Sequence, residues 1–231
     1  MNFGFCPYQK KVEVASHIQV RIRETNLTLL PQKAVFFEDY RILVIADLHL
    51  GKVNHFRRSG IAVPTSINTK NLESLIELIQ QLNPLKVVFL GDLFHSHYND
   101  EWEAFGQVVR HFKTCKFELV RGNHDIMSAL QYKRCQLHVR EQLEMGSFLL
   151  THEPMGEIPL GRYNMYGHIH PGVRLLGKGR QSITLPCFYF GQHEAIMPAF
   201  GSFTGYVRIP VKKKDKVFVI ADQKVIEMDK A

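Results

Sequence analysis

Five short apolar runs in this chain end abruptly on residues that bind cations. LVIADLH ends on Asp47 and His49, VVFLGD on Asp92, FELVRGNHD on Asn123, His124 and Asp125, FLLTH on His152, and NMYGHIH on His168 and His170. A hydrophobic strand has no packing use for carboxylates, an amide and imidazoles at its exit. In parallel α/β sheets the carboxyl ends of the strands open on a common crevice, so residues distant in sequence meet there. Asp47, His49, Asp92, Asn123, His152, His168 and His170 make seven oxygen and nitrogen ligands without a thiolate. Such a mixed set suits manganese, iron, zinc or cobalt, whereas oxygen alone would point to magnesium or calcium. Seven ligands exceed the needs of one ion and fit two ions that share a carboxylate and keep positions for water. Cations held roughly 3.5–4 Å apart clamp the attacking and leaving oxygens of a phosphoryl centre, so the chemistry implied is hydrolysis of a phosphate ester.

The elements that must position these residues are legible in the hydrophobic periodicity. From Ile18 to Val44 the runs IQVRIRE, LTLL and KAVFFE alternate around polar turns at Thr25-Asn26 and Pro31-Gln32, which predicts antiparallel strands feeding a first core strand, Ile42–Ala46. Asn71–Leu82 has the spacing of an amphipathic helix, stopped by Asn83-Pro84, and Lys86–Leu90 is the second core strand. Trp102–Phe112 is helical in spacing and Lys116–Val120 returns to strand. Strand and helix in alternation predict βαβ units and a parallel core. From Val139 onward the chain breaks into short strands separated by Gly and Pro, which predicts a second, largely antiparallel sheet packed face to face with the first. The expected class is α/β: a two-sheet β-sandwich flanked by helices on both sides. A single domain over residues 1–231 is expected, with 1–16 an irregular lead-in.

Composition narrows the partners. No stretch of some twenty apolar residues is present and the amino terminus lacks the pattern of a secretory signal, so a soluble, cytoplasmic protein without membrane contact is expected. Cys6, Cys115, Cys135 and Cys187 are scattered and form no CxxC pair, which fits reduced thiols. A formal charge of +7 attracts polyanions. The run Lys212–Lys216, KKKDK, reads as a solvated hairpin tip, and Phe188-Tyr189-Phe190 as sandwich core before it reads as a surface for stacking bases. His193 carries no motif and reads as structural.

The ordered blocks Asp47-Leu48-His49, Gly91-Asp92, Gly122-Asn123-His124-Asp125, His152 and Gly167-His168-Ile169-His170 resemble those of the calcineurin-like metallophosphoesterases, and every block is intact. The resemblance implies the αββα metallophosphoesterase fold and a centre of two divalent ions, for which the mixed oxygen and nitrogen donors favour manganese first, with iron, zinc and cobalt as alternatives. It implies that Asp47, His49 and His170 hold one ion, that Asn123, His152 and His168 hold the other, and that Asp92 bridges them. His124 is then left beside the metals as the group that donates a proton to the departing alkoxide or stabilises the phosphoryl oxygens, with Asp125 orienting its imidazole. Arg57 and Arg58, just beyond the first ligand pair, are candidates for bidentate phosphate binding, with rim salt bridges as the alternative. His95 is a candidate for substrate contact, with support of a ligand as the alternative. His55 and His97 are weaker candidates for the same role.

A closer resemblance spans about residues 43–205. The blocks ADLHLGK, HFRRSGIAVP and LGDLFHS, with the late stretch from LPCF to PAFGSFTG, look like the bacterial ligase-associated DNA damage response endonucleases. That branch implies a DNA phosphodiester substrate, cleavage as a repair endonuclease, and association with a DNA helicase and a DNA ligase. The alternatives are a phosphodiesterase or phosphatase acting on nucleotides or other small phosphate esters, and a scaffold that has lost catalysis. An intact ligand set speaks against the scaffold.

Overall fold

The computed structural model describes residues 17–50, 66–94, 100–177, 181–202 and 204–228. The lead-in expected over residues 1–16 lies outside them. The first sheet has seven strands in chain order: β1 (Ile18–Ile22), β2 (Thr25–Leu30), β3 (Ala34–Phe37), β4 (Ile42–Ala46), β5 (Lys86–Leu90), β6 (Lys116–Val120) and β7 (Leu137–Arg140). The pairs from β1 to β4 are antiparallel, and β4 to β7 run parallel. Every residue of β4 is buried, as a strand covered on both faces must be.

Among the described residues, three helices interrupt the parallel half: α1 (Ser66–Leu82), α2 (Asp100–His111) and α3 (Ala129–Arg134). α1 starts earlier than its apolar spacing predicts. α3 is too short for periodicity to reveal, yet Ser128 and Gln131 close a reciprocal capping box at its start. The first turn also differs from expectation. Arg23 and Glu24 both have positive φ, as a two-residue hairpin demands, so the bend falls there and Thr25-Asn26 belong to β2.

The second sheet has nine strands: β8 (Leu143–Met145), β9 (Phe148–Thr151), β10 (Tyr163–Tyr166), β11 (Pro171–Leu176), β12 (Ser182–Phe190), β13 (Glu194–Ile196), β14 (Val207–Arg208), β15 (Lys216–Ala221) and β16 (Lys224–Glu227). Most pairings are antiparallel, as expected. At its centre, however, β9, β10 and β13 are parallel. That departure matters for function, because it gives the second sheet a set of carboxyl ends as well.

Alternation sorts the side chains into layers. Val44, Ala46, Val88 and Leu90 of the first sheet meet Phe148, Leu150, Met165, Phe188 and Phe190 of the second in the sandwich core. Leu43, Ile45, Val87 and Phe89 point the other way, against Leu75 and Leu78 of α1, Phe105 of α2 and Tyr132 of α3. Tyr189 turns to the outer face of the second sheet, with Tyr166, Cys187 and Val217. The two-sheet sandwich with helices is as expected, and the three described helices contribute to the layer on the first sheet. Cys115, Cys135 and Cys187 are free and buried, and burial raises all three thiols above their ordinary range.

One buried charge straps the parallel strands together. Glu118 on β6 takes Lys86 of β5 at 2.8 Å and Arg140 of β7 at 3.1 Å, with its side chain 8% exposed. Burial alone would raise the carboxyl, but the two cations outweigh it and its pKa is lowered. Glu118→Gln is expected to cost about 1–3 kcal/mol in urea unfolding at neutral pH. For a carboxylate with a lowered folded pKa, this contribution is complete above the unfolded value near ~4.3 and fades as pH falls through the folded value. The difference between the proteins should therefore shrink in acid.

Candidate metal centre

All five ligand-bearing segments leave strands at the same edge of the sandwich. Asp47 and His49 follow β4, Asp92 follows β5, and Asn123 and His124 follow β6; His152 follows β9, and His168 and His170 follow β10. The chain turns sharply at these points. Asp47, His49, Asp92, His168 and His170 all have φ between 48° and 63°. A left-handed backbone is uncommon outside glycine, although Asp and His tolerate it better than most, and each case costs on the order of 1 kcal/mol or more unless its surroundings enforce it. The surroundings are visible. Asp47 N donates to Gly91 O at 3.3 Å and His49 N to Asp92 O at 2.9 Å, while Gly167 N donates to His152 O at 3.1 Å.

Two groups of donor atoms result, each with its atoms within 4.8 Å of one another: Asp47, His49 and His170, and Asp92, His152 and His168. In the first, His49 Nε2 lies 3.4 Å from His170 Nε2, which is 3.6 Å from Asp47 Oδ1. In the second, His152 Nε2 lies 3.1 Å from His168 Nδ1, 3.5 Å from Asp92 Oδ1 and 3.0 Å from Asn123 Oδ1. Asn123 Oδ1 thus lies beside the second group. The groups adjoin, since His168 N donates to Asp47 Oδ2 at 2.9 Å and His152 Nδ1 is 3.8 Å from Asp47 Oδ1.

These atoms fit cations. His152 Nδ1 faces the carbonyl of Leu90 at 3.0 Å, and a carbonyl only accepts, so Nδ1 carries the hydrogen and Nε2 presents its lone pair. That lone pair meets the Asp92 carboxylate, with Asn123 Oδ1 and His168 Nδ1 close by. The His152 lone pair, the Asp92 carboxylate and Asn123 Oδ1 are all acceptors, and they repel one another unless positive charge lies among them. Asp47 Oδ1 is buried and, among the described residues, has no hydrogen-bond partner, a costly state that a cation relieves.

Asp125 does something other than expected. Its buried carboxylate accepts from Leu93 N at 3.0 Å, Phe94 N at 3.3 Å and Gly122 N at 2.9 Å, so both oxygens serve main-chain amides. It ties the loop after β5 to the loop after β6 instead of serving to orient the His124 imidazole. Burial pushes its pKa up to about 6, against the amide hydrogen bonds and with the charge of Asp92. His124 N donates to Asp92 Oδ1 at 3.0 Å, and its partly exposed ring lies 6.2 Å from that of His49, within the centre but in neither ligand group. Arg57, Arg58 and His95, with His55 and His97, lie outside the described residues.

Two supports were not anticipated by residue. The segment after β13 braces the first ligand loop, with Phe200 N on Ala46 O at 2.8 Å and Gly201 N on Asp47 O at 3.1 Å; Ser202 Oγ in turn donates to the buried Asn71 of α1 at 2.7 Å. None of these residues closes one of the five apolar runs, so only the fold exposes their role. Gly91, with φ +70°, lets the His152 ring lie against the backbone: a Cβ there would come within 2.1 Å of His152 Nδ1. Gly91→Ala is expected to lower stability by roughly 2–4 kcal/mol from overpacking and a strained φ, and to weaken metal binding. Thermal melts with and without Mn²⁺ check this, and an unchanged melt would remove the steric reading.

Residues 40–191 match the family model for the calcineurin-like phosphoesterases. The chain is similar to the nuclease MPE of Pseudomonas putida, with 25% identity and a TM-score of 0.78 over 92% of this chain and 100% of that one. Yfce, a phosphoesterase from E. coli, shares 13% identity at a TM-score of 0.43 over 82% of this chain and 99% of its own. No curated protein matches the chain. Among the described residues no helix is long and apolar enough to cross a membrane. The chain belongs to the calcineurin-like phosphoesterase family and is a metal-dependent phosphoester hydrolase.

Proposed function

We propose that this hydrolase acts on phosphodiester bonds in DNA, as a nuclease with a pair of manganese ions. The observation that carries the reading is the likeness to the nuclease MPE, which extends over nearly the whole of both chains. The net charge of +7 supports a polyanionic substrate. A repair role as an endonuclease, and association with a DNA helicase and a DNA ligase, belong to the same proposal and rest on the motif resemblance.

Asp47, His49 and His170 would hold one ion; His152, His168 and Asn123 would hold the second, with Asp92 shared. When bound, the pair supplies positive charge to the phosphoryl oxygens and acidity to an attacking water. The protein supplies position and protons. The Leu90 carbonyl fixes the His152 tautomer, and Asp125 locks the loops that carry Asp92 and His124 into one frame. His124, anchored through its backbone to Asp92, donates a proton to the oxygen that leaves.

The test is a parallel assay of Mn²⁺-loaded protein on plasmid, single-stranded oligonucleotide, a cyclic nucleotide and bis-p-nitrophenyl phosphate over a range of salt. The DNA reactions should dominate, and their kcat/KM should fall steeply with ionic strength as phosphate contacts are screened. Preference for the cyclic nucleotide with mild salt dependence would instead identify an enzyme of small phosphate esters.

A further inference from the structure

A second cleft, of about 1040 Å³, lies away from the metal ligands, none of which lines it. Its walls are the loop from Met155 to Arg162, the turn around Gly191, and the basic run Lys212 to Lys214. It opens at the amino ends of β10 and β13, whereas the metal ligands follow the carboxyl end of β10. The four residues of β10 separate the two sites by about 13 Å along the sheet, at ~3.3 Å per residue.

The charges in this cleft are sorted. Asp215 is buried, accepting from Tyr189 Oη at 2.9 Å and from Lys212 N at 2.7 Å, and so fixes the lysine turn. Glu194 accepts from Tyr166 Oη at 3.1 Å. Arg162 is engaged with Glu144 at 2.7 Å. Lys212, Lys213 and Lys214 are left exposed, and among the described residues none has an ion-pair partner. Leu160, on the loop that lines the same cleft, is fully exposed. Three cations and an apolar projection lining one cleft match the two chemistries of a nucleic-acid strand, phosphate on the one hand and sugar and base on the other. A free inorganic anion would use only the first. The wall that carries Leu160 begins just past the metal ligand His152, so one loop joins both sites.

We propose that this cleft is an accessory binding site for the phosphate backbone of a nucleic-acid strand whose scissile bond lies at the metal centre. The inference rests on the DNA reading above. Removing three lysines that neutralise phosphates should flatten the slope of log(kcat/KM) against log[salt] by about 2, at ~0.7 per contact for a single strand.

The test compares the Mn²⁺-loaded parent, the triple variant Lys212→Ala, Lys213→Ala, Lys214→Ala, and the matching triple Lys→Arg variant. Substrates are a single-stranded oligonucleotide and bis-p-nitrophenyl phosphate, which is too short to reach the cleft. The expected result is a shallower salt slope and a higher KM for the Ala variant on the oligonucleotide alone, with the Arg variant like the parent. If the parent cuts the oligonucleotide and the Ala variant keeps its slope and KM, the accessory site is refuted while the nuclease reading stands. Equal loss on both substrates would mean a damaged fold rather than a lost contact, and would also overturn the site. If the parent cuts no DNA, both readings fall together.

Discussion

Asp92→Asn should hold fewer than the parent's expected complement of about two ions per chain and should lose on the order of 10³-fold or more in kcat/KM on any phosphodiester. The carboxamide keeps an oxygen where Asp92 Oδ1 accepts from His124 N, so the loop after β6 retains its anchor. What disappears is the negative charge that belongs with the His152 and His168 nitrogens. The substitution therefore separates charge from shape. Metal content by mass spectrometry, read beside hydrolysis of bis-p-nitrophenyl phosphate, checks it. A variant that bound two ions and turned over normally would show that Asp92 is not a shared ligand.

His124→Ala should behave in the opposite way. Alanine keeps the backbone N–H that contacts Asp92, and the lost imidazole belongs to neither donor group, so both ions should remain. Turnover of an unactivated diester should fall about 10²–10⁴-fold, the usual contribution of a positioned general acid. Bis-p-nitrophenyl phosphate should suffer much less, because nitrophenolate leaves without being given a proton. Equal losses on both substrates would assign His124 to charge stabilisation at the phosphoryl oxygens, and full activity on the unactivated diester would remove it from the chemistry.

Much of the site could be read in the chain because its ligands lie where apolar runs stop. The core strands Ile42–Ala46, Lys86–Leu90 and Lys116–Val120 fall where their composition predicts, and burial on both faces explains why such runs are nearly all apolar. What could not be read depends on which distant backbone meets which side chain. Asp125 sits beside His124 in sequence, but its acceptors are claimed by Leu93, Phe94 and Gly122, a match set by the approach of two loops. The brace from Gly201 and Ser202 is silent for the same reason. The parallel trio β9, β10 and β13 was hidden because short strands show their period but not their direction.

That trio has a mechanical consequence. The first donor group takes Asp47 and His49 from one sheet and His170 from the other; the second takes Asp92 from one and His152 with His168 from the other. Each cation would then act as a rivet through both layers of the sandwich, at a rim where the described residues are otherwise joined by the bridge of Ala46 to Ala199 and by a few hydrogen bonds such as His168 N to Asp47 and His152 Nδ1 to Leu90 O. The spread of donors within each group is thus geared to the thickness of the apolar filling beneath it, and a bulkier side chain there would pull the two halves of each group apart without touching a ligand.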